Sequence, residues 1–107
     1  MGMDRTVTFP TAPPTWTAVR DLLAARGYTF QVRMIDGELA FPDEQPPQTW
    51  RELRLSAPQG MVTVRREANR LAFVIWENAD AELREQWTAL WQAFADAGGG
   101  TVETPEA

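Results

Sequence analysis

Thr6-Val7-Thr8-Phe9 alternates polar and apolar side chains and stops at Pro10, the pattern of a short strand. A proline-containing link, Thr11 to Pro14, leads to a helix that Thr15 caps and that runs to about Arg26. Trp16, Val19 and Leu23 recur at i, i+3 and i+7, and Leu22 widens the stripe. Gly27 stands where a left-handed residue closes a helix. Tyr28, Phe30, Val32 and Met34 then alternate with polar residues up to Asp36-Gly37, the sequence of a type I′ hairpin turn. That turn pairs Ile35 with Glu38, Met34 with Leu39 and Val32 with Phe41, and it sets the large apolar residues on one face.

Pro42 to Thr49 is a polar loop. Trp50 to Ser56 reads as a strand with Leu53 and Leu55 inward; a short helix near 49–54 is the alternative. Ala57-Pro58-Gln59-Gly60 has the residues of a type I turn. It leads into two further strands, Met61 to Arg66 and Leu71 to Trp76. Asn78, or else Asp80, caps a last helix whose stripe is Leu83, Trp87, Leu90, Trp91 and Phe94. Gly98-Gly99-Gly100 ends it.

The predicted order is β-α-β-β-β-β-β-α. The expected class is α+β, in two layers: a mostly antiparallel sheet with two helices packed on one face, which buries both amphipathic stripes at once. Residues 1–100 form a single domain and residues 101–107 an acidic flexible tail. In element order alone the plan resembles TATA-binding-protein-like and helix-grip folds. No motif of either family accompanies it, and element order does not imply a function.

Composition narrows the chemistry. The 107 residues include no histidine, cysteine or lysine, which removes the usual neutral-pH bases, thiolate nucleophiles and soft metal ligands. A net charge of −5 opposes general nucleic-acid binding, which needs a basic field. No run reaches the roughly 18 apolar residues of a membrane span. Met1 to Pro10 lacks the apolar core of a signal peptide. The expectations are a cytoplasmic protein with no cofactor, no metal, no nucleic acid and no membrane.

Five tryptophans are several times the ordinary share. Trp16, Trp87 and Trp91 fall on the helical stripes, where packing explains them. With Phe30 they also outline a possible apolar ligand pocket between sheet and helices. Strand parity sends Trp50, Trp76, Val74 and Met61 to the outer face of the sheet, interleaved with Arg33, Arg54 and Arg65. A solvated sheet face should be polar, whereas Trp and Arg are enriched in interface hot spots. The sharpest expectation is a non-enzymatic protein-interaction module. It would be a homodimer joined through this face, or a binder of another chain.

Other groupings are weaker. Arg65, Arg66 and Arg70 flank one turn and could grip an anion, but Glu67 lies among them and Glu52 or Glu77 lies near; a self-neutralising network is expected. Asn78-x-Asp80-x-Glu82 imitates the start of a calcium loop and then lacks its later ligands. A carboxylate-only hydrolase would need two of Asp36, Asp43, Glu44 and Glu67 across a cleft, and all sit in or beside turns. Ser56, the only serine, has no histidine or lysine to activate it.

Overall fold

Alternating runs become antiparallel strands here because each can turn one apolar row onto the same two helices. The computed structural model describes residues 2–41, 44–76 and 79–103. Along these the chain forms β1 (Gly2–Thr8), α1 (Trp16–Ala25), β2 (Gln31–Ile35), β3 (Glu38–Leu39), β4 (Glu52–Ala57), β5 (Gly60–Glu67), β6 (Arg70–Trp76), α2 (Ala81–Gly98) and β7 (Thr101–Glu103). The strands make one antiparallel sheet in the order β3-β2-β4-β5-β6-β1-β7. The class is α+β, with the expected order of elements and one further strand at the end.

The core lies between one face of the sheet and the helices. Val7, Val32, Leu53, Leu55, Val62, Val64, Leu71 and Phe73 are fully buried from the sheet side, against Val19 and Leu23 of α1 and Leu90 and Phe94 of α2. Phe94 ties the layers together: its ring lies 6.1 Å from Trp16 and 5.2 Å from Phe73. The Trp87 indole N–H, buried with its ring, donates to the Phe73 carbonyl at 3.0 Å. No polar or charged residue among those described is buried outright.

Local signals act as their chemistry dictates. The Thr15 hydroxyl accepts from the Ala18 amide and starts α1. Asp36 and Gly37 both take positive φ, 51° and 84°, as a type I′ turn requires. Asp80 caps α2 through the Leu83 amide at 2.8 Å, and Gly99 closes it in the left-handed region. The other candidate cap, Asn78, lies outside the described residues, as do Glu77, Asp43 and residues 104–107.

Three expectations need correction. The hairpin pairs Ile35 with Glu38 and Met34 with Leu39, but β3 ends there, and Val32 does not meet Phe41. A bulge between Val32 and Met34 breaks the alternation of β2. Val32 and Ile35 therefore both point inward, while Met34 turns outward with Leu39. Leu39 and Phe41 are left exposed. Second, β4 begins at Glu52, so Trp50 belongs to the preceding turn and not to a strand. Third, Thr101–Glu103 is no loose tail: it pairs with Thr6–Thr8 of β1 and makes the sheet edge.

Candidate functional site

The face of the sheet turned away from the helices is built by the register. Paired residues lie on the same side of a sheet, so one outward row runs Met34, Arg54, Thr63, Val74 and Asp4 across β2, β4, β5, β6 and β1. A second row runs Glu52, Arg65, Ala72, Thr6 and Glu103. Two residues beyond the first row, β5 and β6 carry Met61 and Trp76. Arg54, Met61, Thr63, Arg65, Val74 and Trp76 line a shallow groove of about 530 Å³. Trp76 is 72% exposed and Met61 42%, so the apolar part of the groove faces solvent.

Five of the seven residues expected on this face gather in or along the groove: Trp76, Val74, Met61, Arg54 and Arg65. Arg33 is exposed but does not line the groove; its Nε–H donates at 3.0 Å to the Oγ of Ser56, the residue that pairs with Met61. Trp50 is the correction. A turn closed by its own amide on the Pro47 carbonyl carries its ring into the core, where it is 2% exposed. Arg66 then covers it, with the guanidinium carbon 5.7 Å from the ring centre and an N–H donated to the Gln48 carbonyl. Strand parity misled because the residue stands two positions before the strand starts.

The arginines beside the groove are largely engaged. Glu52 lies 3.5 Å from both Arg54 and Arg65, and Arg70 lies 3.2 Å from Glu103. These pairs border a second cleft of about 450 Å³ that also includes Arg51, Arg66 and Glu67. Four arginines and two glutamates line it, so the cleft is positive on balance, with Arg65 paired to Glu52 and Arg70 to Glu103. Two of the carboxylates considered for hydrolysis, Asp36 and Glu44, hold the chain in shape. Asp36 accepts from the amides of Arg51 and Glu52 at 2.7 and 2.9 Å, and Glu44 accepts from the Phe41 amide at 3.2 Å. Glu103 accepts from the Thr8 hydroxyl, and this bond, with the Arg70 charge, holds its carboxyl below the ordinary value of 4.5.

The residues proposed for an internal ligand pocket are packed against one another. Trp16, Phe30 and Trp87 are buried, and Trp87 meets Trp91 edge-on at 6.1 Å. Of four surface clefts, only one touches this set, through Trp91. Sequence reasoning missed Arg5, which shares strand parity with Val7 and so turns inward. Its guanidinium carbon lies 5.6 and 5.3 Å from the ring centres of Trp87 and Trp91. The indoles accommodate the charge through their faces.

Among the described residues no group of three or more acidic side chains is placed to hold a metal ion. No helix among the described residues is long and apolar enough to cross a membrane. The chain matches no family model, no curated protein and no solved structure, so a functional reading rests on the surface itself.

Proposed function

We propose that this chain is a non-enzymatic protein-interaction module, cytoplasmic as its sequence leads one to expect, whose docking surface is the outer face of the sheet. The observation that supports this is the solvent-facing Trp76 and Met61 beside Val74, lining one groove with Arg54 and Arg65. The opposite face of the same strands is sealed by helices, so the fold does not need these side chains apolar. An indole left in water forgoes the burial its area offers, and an aromatic anchor with neighbouring arginines has the composition of an interface hot spot.

The test is a double substitution, Trp76→Thr with Val74→Thr. Both positions are on strands, Thr suits a strand, and neither side chain belongs to the core. The double variant should keep its circular dichroism spectrum and melt within a few degrees of the parent. It should lose self-association, or the capture of any chain that the parent captures. A variant with unchanged mass in solution and an unchanged set of captured chains would refute the proposal.

A further inference from the structure

We infer that the occupant of the outer face is a second copy of this chain, docked sheet to sheet about a two-fold axis parallel to the strands and lying between β5 and β6. The inference rests on the docking-face reading above and names the partner. Its basis is the charge pattern of one row. Across β4, β5, β6 and β1 stand Arg54, Thr63, Val74 and Asp4, in the order positive, neutral, apolar, negative. Asp4 is exposed and has no salt-bridge partner among the described residues.

A half-turn about that axis keeps each residue's position along the strand while exchanging β5 with β6 and β4 with β1. It sets Arg54 over Asp4 of the second copy, Thr63 over Val74 and Met61 over Trp76, and every contact occurs twice. The result is isologous, with a thioether against an indole beside the axis at one end of the strands and opposite charges on the flanking strands. Other axes are disfavoured by the same row. An axis across the strands stacks Arg54 on Arg54 and Asp4 on Asp4. An axis between β4 and β5 sets Leu39, which registers with Met34 at the sheet's far side, against Asp4. Sheets stacked in an aligned sandwich cross at about 30°, which long arginine side chains can span. Seven strands spaced about 4.8 Å make a face roughly 30 Å wide. That is the scale of the roughly 800 Å² per partner in a standard interface.

The experiment is sedimentation equilibrium of the full chain at about 100 µM, with Arg54→Asp, Asp4→Arg and their equimolar mixture. The parent should show twice its 12.1 kDa mass. Each variant alone places two like-charge pairs in the interface and should weaken dimerisation by about tenfold or more. The mixture should recover parental affinity, because the mixed dimer contains one native Arg54–Asp4 pair and one with the charges exchanged. A monomeric parent, a dimer indifferent to both substitutions, or a mixture that stays monomeric would overturn the inference. The outcomes separate it from the broader reading. If the parent is monomeric but loses a captured chain on Trp76→Thr with Val74→Thr, the face is a docking surface for a different protein and only the second copy is wrong. If neither mass nor capture responds to that double variant, both fail.

Discussion

Trp50 and Trp76 have the same side chain and opposite energetic roles. The Trp50 ring is enclosed by the core and capped by Arg66, so Trp50→Ala removes a large buried ring and leaves a cavity. The expected cost is roughly 3–5 kcal/mol, read as a lowered denaturant midpoint. Trp76 is mostly in water, so Trp76→Thr in dilute solution should change unfolding stability by no more than about 0.5 kcal/mol. Equal losses from the two substitutions would contradict these placements. Neither role can be read from the residue type. The clue was available for Trp76, where strict alternation of Leu71, Phe73 and Ile75 places it outward. It was absent for Trp50, whose orientation depends on a turn and on the Arg66 side chain far along the chain.

At the scale of elements, two features of the edges and turns invite measurement. The β5–β6 hairpin turns through Ala68 and Asn69, between the paired Glu67 and Arg70. Ala68 has φ 56°, a left-handed conformation that a Cβ opposes, while the following Asn69 is not in that region. Positive φ at the first central position alone is the type II′ pattern, which favours glycine. Ala68→Gly should therefore stabilise the protein by about 0.5–1 kcal/mol, raising the midpoint of chemical unfolding. The second feature is β7, a three-residue edge strand whose Glu103 is held by Thr8 and Arg70. Because the folded carboxyl titrates below its ordinary 4.5, its contribution is complete above that value and is lost as pH falls through the lowered one. Amide exchange at Thr101 and Glu103, whose register with Thr8 and Thr6 turns their N–H groups toward β1, should, once corrected for its intrinsic pH dependence, lose protection over that acidic window while β5 and β6 remain protected. A Glu103→Gln variant should abolish this pH response. Residues 101–103 read as tail in the sequence because a strand this short has no periodicity of its own. Partnership with β1 makes it one.

For the whole molecule, the dominant fact is the inequality of the two sheet faces. One is covered by both helices and contains every fully buried strand residue; the other carries a row of charges broken by Trp76, Met61 and Val74. The chain has no histidine, cysteine or lysine, and association is the use we propose for that surface. Asp80 caps a helix and Asp36 fastens a turn, so both carboxylates have structural partners.

Period and punctuation were legible in the chain itself. Alternation and helical spacing are local steric consequences, so the class, the order of elements, the Thr15 cap and the Asp36-Gly37 turn follow from neighbours in sequence. Outward aim of Trp76, Val74 and Met61 follows from the same parity. Only the folded arrangement decided the rest: the bulge that turns Met34 outward, the inward fold of Trp50, the placement of Arg5 over two indoles, and the capture of Thr101–Glu103 by β1. Each of these depends on a partner at least fifteen residues away along the chain, whose position is a property of the packed core and not of any local pattern.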